Sequence, residues 1–296
     1  MDNNAGPITR SGRRGMGRAA RVAARSAGLG EDERPVRPGL EGGHYRPLSD
    51  DQAKRIHTAA LDALEQIGLA DAPPSGVALL TGVGAELGDD GRIRFPRSLV
   101  EDMLAVAARD ITLHGRETKF DLTLSGKRVH YGTAGAAVHL VDVENREYRE
   151  CTTQDLFNAA RLTQALDNVH FFQRPMVCRD VTDNLSLDIN TIFASCAGTT
   201  KHIGTSFCEP ATVAECIELL HIIAGGEDNW RARPFVSNTN CFVVPPMKFA
   251  SESCETMEHC VRAGMPILLL SAGQAGATAP APLAAAIVQA VAECLA

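Results

Sequence analysis

Aromatic residues are scarce in this chain of 296 residues: one Trp, three Tyr and ten Phe make up 5% of it. No window approaches the ~18 consecutive apolar residues of a membrane-spanning helix, so no membrane partner is predicted. None of the nine cysteines forms a C-x-x-C. The spacing of Cys254 and Cys260, with His259 beside the second, fits no zinc template, and no metal is predicted. No secretory signal is recognisable. Cys196, Cys216, Cys254, Cys260 and Cys294 sit inside apolar periodic segments, where a free thiol behaves as a small hydrophobe. The expected compartment is reducing and cytoplasmic.

Positive charge is thin outside one segment. Of 29 basic and 36 acidic residues, six arginines (Arg10, Arg13, Arg14, Arg18, Arg21 and Arg25) and one acid, Asp2, lie in residues 1–30. The rest carries 23 bases against 35 acids. An acidic body is a poor binder of duplex phosphates, so no nucleic-acid partner is expected. The Arg-rich head, acid-poor like a transit peptide, is read as a basic, disordered tail over 1–46, since Gly, Arg and Ala without an apolar stripe cannot offset the cost of ordering.

Beyond the tail the chain is patterned. In "YRPLSDDQAKRIHTAALDALEQIG", Ser49 and Gln52 form a capping box. Ala53, Ile56, Ala60, Leu64 and Ile67 make the apolar stripe of a helix that Gly68 ends. A second helix is predicted over 95–110. Short alternating pieces such as "RIRF", "ITLHG", "FDLTLSG" and "REYREC" complete a small α+β region, 47–150, with antiparallel pairing.

From Cys151 strands and helices alternate. Thr152 and Asp155 open a helix. Strands at 169–177, 201–207, 235–243 and 265–271 are then each followed by a helix, the second opened by Thr212 and Glu215 as a capping box. Apolar strands separated by helices call for a parallel sheet buried on both faces. Either a doubly wound sheet or a (β/α)8 barrel satisfies this pattern. The barrel is preferred because no strand-to-helix turn carries the G-x-G-x-x-G of a dinucleotide site. The predicted fold class is therefore α/β: the first half of a (β/α)8 TIM barrel, residues 151–296, behind the α+β region. The last helix stops where a fifth unit would begin, and its face (Leu283, Ala286, Ile287, Ala290, Val291, Leu295) needs a cover. The chain thus reads as a truncated part of a longer one, with both sheet edges open.

Polar residues recur at strand C-termini: Gln173 and Arg174, Thr205 and Ser206, Asn238 and Asn240, Ser271 and Gln274. In a barrel these converge on the mouth. Two readings of "GQAGATAP" stay open: an anion cradle at a helix start, or a plain loop with Pro280 or Pro282 in the helix's first turn. The cradle is not a P-loop, since no Lys-Ser or Lys-Thr comes after it. Lys201 raises an aldolase-type lyase using a Schiff base, although it stands at the strand's N-terminal end. His202 reads as a core or supporting residue. Phe172, Phe207 and Phe242 are candidate rings for binding an ammonium group by cation–π contact.

The segments "GRIRFPRSLVEDML", "GTAGAAVHLVD", "LDNVHFFQRPMVCRDV" and "GTTKHIGTSF", and above all "VVPPMKFASESCETMEHCVRAGMPILLLSAGQAGATAPAPLAAAIVQAVAECLA", resemble the trimethylamine methyltransferase family from about Gly39 to Ala296. "RPVRPGLEGG" behind the Arg-rich head is similar to bacterial members without pyrrolysine. The resemblance implies a (β/α)8 barrel that moves a methyl group from a tertiary or quaternary methylamine, trimethylamine or glycine betaine among them, to cob(I)alamin. It binds no cofactor itself: the corrinoid comes on a partner protein that docks at the mouth. It also implies a longer chain, a homo-oligomer when full length, and a mouth loop at Ser271, Gln274 and Thr278. No catalytic residue of the family carries over. Arg174 is a candidate partner for a betaine carboxylate. The competing expectation is an inactive half-barrel that only assembles.

Overall fold

The computed structural model describes residues 40–296, together with the single upstream position Ala19. The predicted tail over 1–46 falls almost wholly outside them. At its end Leu40–Glu41 pairs antiparallel with Arg128–Val129.

Helix α1, Asp50–Gln66, starts at Ser49 with both bonds of the capping box in place. Ala60 and Leu64 of its stripe are fully buried, as is the neighbouring Leu61, while Ile67 at its end is half exposed. Helix α2, Pro74–Gly82, is one that the sequence pattern did not reveal: its weak periodicity gave no apolar stripe, and it begins at the N1 proline that suits a helix start. Helix α3 spans Arg97–Val106. Antiparallel two-stranded ribbons at Glu86–Leu87 with Ile93–Arg94, Ile111–Leu113 with Leu122–Leu124, and His139–Val141 with Tyr148–Glu150 complete this region.

The second region is built on a four-stranded parallel sheet. Its strands are β1 (Phe172–Gln173), β2 (Ile203–Thr205), β3 (Val236–Asn240) and β4 (Ile267–Leu269), adjacent in the sheet in chain order. Helix α4 (Thr153–Ala165) precedes β1. Helix α5 (Asn184–Gly198) links β1 to β2, and α6 (Val213–Ala224) with the short α7 (Glu227–Ala232) links β2 to β3. Helix α8 (Ser251–Arg262) links β3 to β4, and α9 (Leu283–Leu295) comes after β4. The chain is thus a mixed α/β protein with a parallel sheet and helices.

Register aligns Phe172, Ile203 and Val236 across three strands. All three are fully buried and form a core with Leu156 and Ala160 of α4, Ile192 of α5, Leu220 of α6 and Cys260 of α8. Burying a side chain of this size contributes about 1.5–3 kcal/mol. Alternation sends Gln173, Gly204 and Ser237 to the opposite face. There the Gln173 side chain crosses directly over Gly204 to accept from Thr239 Oγ1 at 3.2 Å. A Cβ on Gly204 would stand 1.7 Å from Gln173 Oε1, so any side chain there must push the Gln173 amide aside.

Three expectations are corrected. The β1 edge is not open: residues 131–137 run along it, with bridges Gly132–Phe171 and Ala137–Met176 and the bond Val177 N–H to Ala137 O at 2.8 Å. The last helix is covered in part, because α9 packs on α1, while Leu283 and Ile287 of the predicted face stay exposed. Val288, Val291 and Leu295 join a second core made of Leu61, Leu64, Phe242, Phe249 and their neighbours. The early helices and the last βα unit therefore share one core. Lastly, Thr212 caps nothing with its side chain: its hydroxyl is taken by Asp188 at 2.6 Å.

Candidate functional site at the carboxyl ends of the parallel strands

The two ends of the sheet differ in chemistry. At the amino end, residues 113–121 close over the strands. Lys201 lies fully buried, and its ammonium donates to the carbonyls of Thr163, Leu166 and Val169 at 2.7, 2.8 and 2.6 Å. Two of those carbonyls belong to the C-terminal turn of α4, where a cation is favoured by the helix dipole. The lyase reading fails on this geometry. A Schiff base needs a free amine at a substrate cavity, and this ammonium is committed to three carbonyls at the opposite end.

His202 is equally closed in. Its Nδ1 lies 2.9 Å from the His114 carbonyl, which can only accept, so Nδ1 carries the proton and Nε2 accepts from Ser237 Oγ at 3.0 Å. Burial pulls its pKa down to about 4, so the ring is neutral near pH 7. Arg116 donates to the carbonyls of Cys196 and Thr199. Burial pushes the Asp121 carboxyl upward, but bonds from Arg233 at 2.7 Å, His114 at 3.2 Å and the Gly115 N–H at 3.0 Å prevail and hold it low.

The carboxyl end opens into a cavity of about 570 Å³. Three layers contribute. The strand ends supply Gln173, Arg174, Ser206, Asn238, Thr239 and Asn240. Helix α8 supplies Glu252, Ser253 and Thr256, and the segment beside β1 supplies Ala134, Gly135 and Ala136. Phe207, Leu268 and Leu270 are its apolar part. In open α/β sheets this crevice beyond the strand ends is where ligands bind.

Polar groups are less completely paired here. Arg174 donates to Ser206 Oγ at 2.8 Å. Among the described residues it has no carboxylate within ion-pair distance. Burial lowers its pKa, and the charge of Asp188 opposes that shift without forming an ion pair. Asp188, buried in α5, accepts from Cys208 N–H at 2.9 Å and from Thr212, while its Oδ1 has no partner among the described residues. Asn240 is buried and donates to the Ser253 carbonyl at 2.9 Å, and Asn238 donates to Cys260 Sγ at 3.3 Å. The side-chain carbonyls of both asparagines lack partners among the described residues.

Of the residues singled out in the sequence, Gln173, Arg174, Ser206, Asn240 and Phe207 line this cavity together. Thr205 is buried beside it on the helix-facing side of β2, its hydroxyl within 3.5 Å of the Ser206 carbonyl. Ser271, Gln274 and Thr278 do not line it. Ser271 Oγ binds Glu293 of α9, whose other oxygen accepts from Met247 N–H at 2.7 Å. The "GQAGATAP" loop folds on itself: the Gln274 carbonyl accepts from Ala277, Thr278 and Ala279 at 2.9–3.0 Å, and Gln274 N–H donates to Thr278 Oγ1 at 2.9 Å. With these N–H groups consumed, the anion cradle is lost and the plain loop stands, Pro282 serving as the N-cap of α9. Phe172 and Phe242 are core residues, 0% and 2% exposed, on the helix side and in the second core respectively, and neither lines this cavity. Thr239, Glu252, Ser253, Thr256 and the 134–136 turn were not foreseen from the sequence. The small-residue run "GTAGAA" was the available signal for a close approach of backbone.

Known proteins resemble this chain along its length. It is 30% identical over 254 residues to the trimethylamine methyltransferase MttB of Desulfitobacterium hafniense, covering 84% of this chain and 50% of that one. It is 26% identical over 266 residues to trimethylamine methyltransferase MttB1 of Methanosarcina mazei, covering 87% and 53%. To the glycine betaine methyltransferase of Desulfitobacterium hafniense it is 25% identical over 242 residues, covering 81% and 50%. The chain spans about half the length of these relatives. The family model described as trimethylamine methyltransferase (MTTB) matches residues 13–296, and the chain belongs to that family.

Proposed function

We propose that this chain forms the substrate-holding part of an enzyme that moves a methyl group from a tertiary or quaternary methylamine to the cobalt of a corrinoid carried by a partner protein. The observation that carries this reading is the cavity at the carboxyl ends of β1–β4, lined by amides, hydroxyls, one arginine, one glutamate and one phenylalanine. Relatives named for trimethylamine and for glycine betaine support the substrate class. The four βα units are taken as the first half of a (β/α)8 barrel, a reading supported by strand neighbours in chain order and by helices against the Phe172–Ile203–Val236 face.

The corrinoid is a co-substrate that supplies a nucleophilic cobalt. The task of this chain is positioning: holding one N-methyl group outward while excluding water from the cationic nitrogen. Glu252 offers charge, Phe207 a ring face, and Gln173 and Asn240 polar contacts that orient the ligand. The Gln173–Thr239 bond over Gly204 fixes one wall, and this rigidity is what an in-line transfer requires.

The test mixes the protein, alone and with a separately produced polypeptide matching the second half of its relatives, with a corrinoid protein reduced to the Co(I) state and a panel of methylated amines. The expected result is loss of the Co(I) absorbance with at least one tertiary or quaternary amine, slowed at least tenfold by Gly204→Val, which displaces Gln173. No loss with any amine in either mixture would overturn the reading.

A further inference from the structure

Helix α5 buries an acid on its core face. Asp188 is 2% exposed and shares the buried stripe with Thr191, Ile192 and Ser195. Both of its hydrogen bonds end on one oxygen: Oδ2 accepts from the Cys208 N–H at 2.9 Å and from the Thr212 hydroxyl at 2.6 Å. The other oxygen, Oδ1, has no partner among the described residues. An asparagine could accept both bonds, so the negative charge is surplus to the local structure, and a buried charge is costly unless it is matched. Arg174 grips the same stretch of chain from the cavity side, donating to Ser206 Oγ at 2.8 Å, two residues before Cys208. Burial lowers the pKa of Arg174, and across that stretch the charge of Asp188 opposes the shift.

The stretch so held, residues 206–208, is one wall of the cavity, and it carries Phe207, the one aromatic ring among the described lining residues. Arg174 and Glu252 bring full charges to that lining. Glu252 stands exposed in the first turn of α8, where water and salt screen it, whereas Arg174 is half-buried. A cation entering the cavity therefore meets the Arg174 charge with little screening. Resting on the methylamine reading above, we propose that Asp188 is a positioning residue of this cavity: its hydrogen bonds hold the 206–208 wall, and its buried charge behind that wall offsets Arg174 so that a methylated ammonium is admitted. The carboxylate does not touch the ligand. It acts through the Cys208 backbone on the Phe207 ring, and through space on the guanidinium.

The assay is equilibrium binding of choline and of its uncharged carbon isostere, 3,3-dimethylbutan-1-ol, to the whole protein by calorimetry and ligand-observed NMR. Wild type is compared with Asp188→Asn, Asp188→Leu, Arg174→Met and the double variant Asp188→Asn/Arg174→Met. At the effective dielectric of a protein, a unit charge about 10 Å away changes the affinity of a cation roughly tenfold. Asp188→Asn, which keeps an oxygen for both donors, should therefore weaken choline about tenfold and leave the isostere within about twofold. Arg174→Met in that background should return most of the loss. Asp188→Leu removes the two bonds as well and should weaken both ligands. Equal weakening of the two ligands by Asp188→Asn would reduce Asp188 to a structural role and overturn the proposal. So would an unchanged choline affinity, or a loss that Arg174→Met does not return. If wild type binds neither ligand, the methylammonium reading falls, and melting curves of the same proteins judge the charge pairing separately. Asp188→Asn should then lower the melting temperature, and adding Arg174→Met should raise it again; strictly additive shifts would overturn the pairing.

Discussion

The amino and carboxyl ends of the same four strands have been built to different rules. At the amino end Lys201, His202, Arg116 and Asp121 are desolvated, and each has polar partners within 3.3 Å. At the carboxyl end the side-chain carbonyls of Asn238 and Asn240, which line a cavity of about 570 Å³, and Asp188 Oδ1 have no partner among the described residues. Buried polar groups are normally satisfied. Ring nitrogens of His130 and His221 are exceptions elsewhere among the described residues, but the asparagine pair lines a cavity, and that marks the end where a ligand supplies the missing partners. The other end is a structural plug, and its polar groups stabilise rather than act.

The largest effect expected from breaking this contrast is at the plug. Lys201→Met leaves three carbonyls at the end of α4 without their donor, and unsatisfied buried groups cost about 1–3 kcal/mol each. Chemical denaturation should show a loss of at least ~3 kcal/mol, with ligand affinity in surviving folded protein unchanged. A loss under ~1 kcal/mol would mean the ammonium is not integral to the plug.

Next is a pH dependence. The pKa of His202 lies at about 4 in the folded protein against 6.5 in the unfolded chain. The unfolded state thus binds the extra proton between these values, and stability rises with pH across that window. The contribution is fully present above pH 6.5 and falls by as much as roughly 3 kcal/mol on going down to pH 4, at about 1.36 kcal/mol per unit. His202→Gln should lower the melting temperature at pH 7 and flatten the slope between pH 6.5 and 4. An unchanged slope would place the titrating group elsewhere.

At the mouth the expectation inverts. Arg174→Met removes a poorly compensated cation from the cavity wall, so stability should move by less than about 1 kcal/mol in either direction. The smallest effect sharpens the same point for a local device. Ser49→Ala removes the α1 cap at a cost of about 1 kcal/mol, and should leave both ends of the sheet unaltered in binding and in pH slope.

Local chemistry made much of this legible. The boxes at Ser49–Gln52 and Thr152–Asp155 close as their spacing dictates, because both partners lie within one turn. The third box fails because Thr212 finds Asp188, 24 residues away, a competitor no local pattern contains. Strand–helix alternation after Cys151 yields the parallel sheet, and strand ends bring Gln173, Arg174, Ser206 and Asn240 to one cavity. Ser271, Gln274 and Thr278 obeyed the same rule yet lie off it, because Glu293 on α9 and the loop's own carbonyl at Gln274 claim their hydrogen bonds. The 131–137 cover on β1 was illegible, since small residues in an irregular run carry no period. Glu252 belongs to the first turn of a helix, and only the turn of the chain after β3 brings it to the cavity.

The most direct measurement is a side-chain amide and backbone NMR titration of the protein with a methylated ammonium ligand. If the carboxyl end is the ligand site, the Gln173, Asn238 and Asn240 side-chain amides and the Thr239 and Leu268 backbone amides shift together and saturably, while Lys201, His202 and residues 113–121 stay fixed. Shifts centred on the Lys201–His202 end would contradict that assignment.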